Sequence, residues 1–75
     1  MFRKDFLESK ARERIVAHLT DGQSLRGVLL AVHRDCIVLG TAEALAEGVT
    51  AAIDGEALVP RERVAWVQLL PAEAG

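Results

Sequence analysis

The chain has 75 residues, of which 51% are hydrophobic, and a formal net charge of −2. A chain of this length forms one small domain, and such domains often supplement their cores with disulfides, metals or partner subunits. The lone cysteine, Cys36, excludes an intrachain disulfide, so burial of surplus apolar surface between subunits is expected. The charge argues against a protein whose whole surface binds nucleic acid.

The N-terminal segment, residues 2–12, is predicted to form a short amphipathic helix. Phe2 and Phe6 lie one helical turn apart, and Phe6 with Leu7 is expected to cover one open end of the domain that follows. The alternative is a basic helical face for RNA or an acidic partner, formed by Arg3, Lys4, Lys10 and Arg12.

Residues 15–39 predict three consecutive strands. Side chains alternate with period two from residue 15 to residue 19, which is typical of a strand with one buried face. Gly22 supplies a tight turn, and Gly27, within a second strand over 24–32, predicts a bulge or a sharp bend. A polar three-residue loop then precedes a third strand over 36–39. Short, bent antiparallel meanders of this kind build small closed barrels.

The second half of the chain is less regular. Residues 40–52 predict a loop with one helical turn that ends at Gly48. The remaining elements are predicted to be a strand over 57–59, a tight connection over 60–63, a last strand over 64–70 and a frayed tail over 71–75.

No pattern in the chain indicates catalysis, a metal or a cofactor. His33 and Cys36 have a spacing that suits metal ligands, but only His18, on another strand, is available to join them. As a nucleophile and base the same pair has only Asp35 nearby as an orienting group. Cys36 is therefore interpreted as a small buried apolar residue, and the protein as a non-enzyme.

The glycine spacing resembles the first motif of the Sm-like (LSm) family. Gly22 and Gly27 are followed by Leu29, a turn and the apolar residues 36–39. The second family motif is similar to residues 57–60 together with residues 64–67. The resemblance implies an all-β fold with a short N-terminal helix, namely a five-stranded, strongly bent antiparallel SH3-like barrel. It places a helix over 2–12, the barrel over 14–70 and a variable loop over 40–52, in a single domain spanning 1–75.

The same resemblance implies a ring of six or seven subunits. In Sm-like rings the fourth strand of one subunit pairs with the fifth strand of the next, which removes both exposed edges. Trp66 is expected to anchor this contact, because tryptophan is favoured at interfaces, although a base-stacking role is the alternative. The residues expected at the interface are Ala57, Leu58, Val59, Val64, Trp66, Val67 and Leu69. This reading predicts a homo-oligomeric, non-catalytic module with a structural or scaffolding role.

The second hypothesis is that the protein forms an RNA-binding ring with an altered nucleotide pocket. Sm-type rings hold a base with a flat side chain after the second strand, a polar residue nearby and an arginine before the last strand. Ile37 falls near the position where the eukaryotic type has asparagine, so the pocket departs from the family pattern. The residues expected to contact single-stranded RNA are His33, Arg34, Arg61 and Arg63.

The third hypothesis is that the protein is a virion or assembly component. Residues 28–30, 34–36, 54–56 and 64–68 resemble small proteins encoded among the structural genes of tailed phages. The N-terminus lacks the apolar core of a secretory signal, and no apolar run approaches the ~20 residues that span a bilayer. The expected location is therefore the cytoplasm, or the virion if the third hypothesis holds.

Overall fold

The computed structural model describes residues 12–71. The helix predicted over 2–12 lies outside these residues apart from Arg12, and so does the predicted tail beyond residue 71. Arg12 itself has a φ of 75° and its backbone N–H donates to the carbonyl of Leu29, 2.6 Å away. The chain therefore enters the described domain against the middle of its second strand.

The described residues form six strands and one 3₁₀ turn. In chain order they are β1 (Arg14–Leu19), β2 (Ser24–Val32), β3 (Cys36–Ala46), β4 (Val49–Ala52), β5 (Ala57–Pro60), the 3₁₀ turn (Arg61–Arg63) and β6 (Val64–Leu69). All strand pairs are antiparallel, in the order β4-β3-β2-β1-β6, and β5 also pairs with β3. The prediction of an antiparallel, strongly bent all-β domain is confirmed.

Two details of the prediction are wrong. Residues 40–52 form no helical turn, because β3 continues to Ala46 and returns as β4. The alanine- and glutamate-rich stretch favours a helix locally, but pairing of Leu25 with Ala44 and of Ser24 with Leu45 overrides that preference. The number of strands is also wrong: the predicted fourth strand over 57–59 is observed as β5, but an additional strand, β4, precedes it and pairs with the later part of β3. Six strands therefore replace the predicted five.

Gly27 lies at a β-bulge, which is one of the two features that the sequence predicts for it. Between Arg26 and Val28 the pairing with β3 shifts by one residue, so β3 carries an extra residue there. A Cβ atom at Gly27 would lie 2.9 Å from the carbonyl oxygen of Gly40, closer than side chains approach backbone. Glycine thus lets β2 and β3 approach each other where their pairing shifts.

The core lies inside the bent sheet and takes one face of each long strand. Ile15, Leu29 and Leu39 are fully buried, and the whole buried cluster comprises Ile15, Ala17, Leu29, Val32, Ile37, Leu39, Ala42, Val59 and Val67. Cys36, interpreted from the sequence as buried, is half-buried at the start of β3. The alternation along β6 leaves Trp66 and Gln68 exposed outside the core, whereas Val16 on the other face of β1 is buried as well.

Candidate functional site

One long side of β6 has no strand beside it. Among the described strands β6 pairs with β1 alone, and the N–H of Leu70 donates to the carbonyl of Arg14 at 3.0 Å. Hydrogen bonding alternates along an antiparallel pair, so the backbone groups of Gln68 also face β1, whereas those of Val67 and Leu69 point away. This side of β6 therefore presents a row of backbone donors and acceptors for another strand.

β5 has a matching open side. Among the described strands it pairs with β3 alone, and the Arg61 N–H donates to the carbonyl of Asp35 at 2.8 Å. By the same alternation, the backbone of Val59 faces β3, and those of Leu58 and Pro60 point away. Pro60 has no N–H to offer a ladder, which suits its position on an edge.

Each open side carries large exposed apolar side chains. The exposed fraction is 70% for Leu58, 51% for Trp66 and 40% for Leu69. The other four residues predicted at the interface, Ala57, Val59, Val64 and Val67, direct their side chains into or against the core. Side-chain contact with another subunit would therefore fall to Leu58, Trp66 and Leu69, while the remaining residues shape the strands.

Trp66 is held by a stacked partner. Its ring lies 3.9 Å from that of His18, with 13° between the ring planes. His18 is bound on both sides: Nδ1 lies 2.9 Å from the Ser24 hydroxyl and Nε2 lies 3.2 Å from Oε1 of Gln68. Because an amide oxygen only accepts, the neutral ring makes both contacts when Nε2–H donates to Gln68 and Nδ1 accepts from the Ser24 hydroxyl. Sequence reasoning did not find this pair, since it depends on the register between β1 and β6.

A groove of about 560 Å³ lies beside the open side of β5. It is lined by Arg34, Asp35, Cys36, Leu58, Pro60, Arg61 and Glu62. Nη1 of Arg61 donates to the carbonyl of His33 at 3.3 Å, which ties the 3₁₀ turn to the loop after β2. The groove thus combines an apolar strand surface with two guanidinium groups and two carboxylates.

The structure brings together three of the four residues predicted to contact RNA. His33, Arg34 and Arg61 all lie at the loop end of β5. Arg63 instead lines a second cleft with Leu19 and Leu25, and its carbonyl accepts from the backbone N–H of Thr20 at 2.8 Å. This cleft shares Leu58 and Pro60 with the groove, so the predicted set is divided between two adjoining clefts.

Within residues 12–71, no group of three or more His, Cys, Asp or Glu side chains is placed to hold a metal ion. The backbone N–H of His33 donates to the carbonyl of Cys36 at 2.8 Å, so these two residues close the turn between β2 and β3. No helix in this part of the chain is long and apolar enough to cross a membrane.

No protein-family model and no curated protein sequence matches the chain. Several solved structures, in contrast, are similar to it. A heptameric archaeal Sm protein matches with a TM-score of 0.80 and 22% identity, over 89% of this chain and 98% of that one. The SmAP1 heptamer of P. aerophilum matches with a TM-score of 0.82 and 21% identity, over 96% and 100%.

A chain of the NatC complex bound to CoA also matches, with a TM-score of 0.74 and 22% identity, over 91% of this chain and 84% of that one. These similarities show that the protein has an Sm-like fold. The same fold therefore occurs in homomeric rings and inside a larger complex.

Proposed function

We propose that this protein is a non-catalytic self-assembling module in which β5 of one copy pairs with β6 of the next. The observation that carries the proposal is the pair of open strand sides, each flanked by an exposed large apolar residue, Leu58 on β5 and Trp66 on β6. Both side chains lie on the outward face of the sheet, because each alternates with a core residue, Val59 or Val67.

The edges lack the usual protection against pairing. Natural edge strands are commonly blocked by charged side chains, but neither β5 nor β6 contains one, and only the end of β5 carries a proline. A pairing partner would satisfy the outward backbone groups of Leu58, Val67 and Leu69, and would cover apolar surface that a small domain cannot bury by itself. The apolar composition of the chain and the two unpaired strand sides thus both favour assembly through β5 and β6.

The two edges are different surfaces, so their pairing is head-to-tail. A contact of this type produces a closed ring if the rotation between copies closes, and a filament if it does not. The heptameric assembly of the two Sm proteins supports closure for a chain of the same fold. The resulting ring would serve a structural or scaffolding role, and a virion component would be one instance of that role.

Two alternatives use the same domain differently. The NatC match supports assembly with unlike subunits, which would use the same edges against another protein. RNA binding is supported by the convergence of His33, Arg34 and Arg61, but Asp35 and Glu62 share that groove and oppose a phosphate chain.

The decisive measurement is the mass of the purified protein by light scattering. The wild type is expected to form an oligomer, with a mass several times the 8.1 kDa of one chain. Trp66→Asp is expected to yield monomers, because it places a charge beside the open side of β6 and removes the stack on His18. A Trp66→Asp protein that elutes at the wild-type size would refute the assignment of the interface.

Two further variants guard against misfolding. Leu58→Asp alters a side chain that is 70% exposed, so we expect the variant to fold but not to assemble. Val49→Asp is the matched control, since Val49 is 65% exposed but lies at the start of β4, away from β5 and β6. Equal masses for these two variants would contradict the proposal.

A further inference from the structure

We infer that β5 and β6 of neighbouring copies pair in one register, which places Trp66 of one copy beside Val59 on the core face of the next. This inference rests on the proposed assembly and specifies how its subunits fit together. Every strand pair among the described residues is antiparallel, and antiparallel pairing is the more stable arrangement per residue. An antiparallel contact between copies continues the sheet in the same way.

The open sides of the two strands determine which sheet faces join. In an antiparallel ladder the residues whose backbone groups point outward lie opposite each other, and opposite side chains share a face. Leu58 of β5 therefore shares a face with Val67 and Leu69 of β6, which lie on the core face because they pair with Ala17 and Ile15. The core face of one copy thus continues as the outward face of the next copy.

The lengths of the strands and the position of Pro60 select the register. When Leu58 lies opposite Val67, the four residues of β5 face residues 65–68, all within β6. Pro60, which has no N–H, then faces Ala65, the extra residue that β6 carries against β1. A shift of two residues in one direction takes the pairing into the 3₁₀ turn. A shift in the other direction takes it past the end of β6 and leaves Trp66 beyond β5.

In this register Trp66 of the neighbouring copy lies directly opposite Val59. The second cleft, of about 240 Å³, opens on this face, because its wall contains Val59 together with Leu19 and Leu25, which pack against the core. The cleft follows the open side of β5, since residues 58–60 all border it. The indole ring, half-exposed in the single copy, would cover this mouth of the core.

The opposite contact completes the core of the other copy. Leu58, which is 70% exposed, lies beside Val67 and diagonally beside Leu69 of the neighbour, and Leu69 is itself 40% exposed. Each copy therefore receives Trp66 from one neighbour and Leu58 from the other. The four apolar groups that a single small domain leaves at the margins of its core are covered by the same pairing.

Cysteine pairs measure the register directly. Ala57 and Gln68 of the neighbour form a pair without mutual hydrogen bonds, about 4.5 Å apart at Cα, which a disulfide can bridge. Cys36, the single native cysteine, is first replaced by alanine. The double variant Ala57→Cys/Gln68→Cys is then expected to give a ladder of covalent oligomers on mild oxidation, seen on a non-reducing gel.

Two control pairs differ from this variant in one position. Ala57→Cys/Leu69→Cys moves one thiol to the other sheet face, and Ala57→Cys/Leu70→Cys keeps the face but shifts the register by two residues. Both are expected to stay without cross-links, because diverging side chains or Cα atoms more than about 7 Å apart cannot be bridged. Light scattering before oxidation shows that each double variant keeps the mass of the wild-type assembly.

A second pair of variants tests the side chain over the cleft. Trp66→Ala and Gln68→Ala each remove one partner of His18, so the loss of that contact is common to both. Trp66→Ala is expected to raise the dissociation constant of the assembly at least about 30-fold, as truncation of a buried interface anchor does. Gln68→Ala is expected to leave it within about threefold of the wild type.

The outcomes separate this inference from the assembly itself. An oligomer that cross-links through a control pair, or through none of the three pairs, would overturn the register while the assembly stands. Equal dissociation constants for Trp66→Ala and Gln68→Ala would overturn the role of Trp66 at the cleft. A monomer at all concentrations would remove the assembly and this inference together.

Discussion

At the scale of single residues, the backbone of Thr41 is unusual. Thr41 is exposed, has a φ of 48° and occupies the extra position that β3 carries opposite Gly27. A β-branched residue is strained in this left-handed region, which asparagine adopts more readily. The extra residue of β3 thus adopts a backbone conformation that its β-branched side chain disfavours.

Thr41→Asn is expected to raise the free energy of unfolding by about 1 kcal/mol, because it relieves the left-handed strain. Thermal unfolding at equal subunit concentration measures the change, since assembly makes the midpoint depend on concentration. Thr50→Asn is the control: Thr50 is also exposed, but it lies in β4 without a positive φ. If the two variants were equally stable, strain at Thr41 would not be the cause.

At the scale of elements, the hairpin between β3 and β4 turns on two residues. Ala46 pairs with Val49, and the residues between them, Glu47 and Gly48, have φ values of 39° and 81°. Positive φ at both central positions defines the type I′ turn, which matches the twist of the flanking strands and favours Asn-Gly. Glycine satisfies the second position, whereas glutamate fits the first position poorly.

Glu47→Asn is expected to stabilise the domain by about 1 kcal/mol, because asparagine tolerates the left-handed conformation. Glu47→Gln removes the same charge without that tolerance and is expected to change the stability little. Chemical denaturation of both variants at one subunit concentration makes the comparison. A gain shared equally by Gln and Asn would point to charge rather than to turn geometry.

At the scale of the whole molecule, the groove contents distinguish assembly from RNA binding. Arg34 and Arg61 share the groove with Asp35 and Glu62, so a phosphate chain meets opposing charges there. We expect the oligomer to keep its mass when oligo-U is added, at low salt and at high salt. RNA binding through several arginines would instead appear at low salt and weaken steeply as salt increases. Light scattering with titrated oligo-U decides between them.

Local patterns were enough to predict most of the sheet. The bounds of β2 match the prediction, and β1 and β6 differ from it by one residue at one end. Alternation of side chains and the positions of Gly22 and Gly27 carry this information, because strand period and turn geometry depend on residues close together in the chain. The Sm-like fold was accordingly predicted from the sequence and is confirmed.

The site depended on contacts that no short stretch of sequence contains. The seven predicted interface residues include members of both strand faces, and only their depth in the folded domain separates Leu58, Trp66 and Leu69 from the core residues. The stack of His18 on Trp66 and the meeting of Arg61 with the loop after β2 join residues that are far apart in the chain. Sequence by itself determined where the strands run and turn, since that is local. Tertiary structure alone decided which side chains line the open edges, because register and bend bring distant residues together.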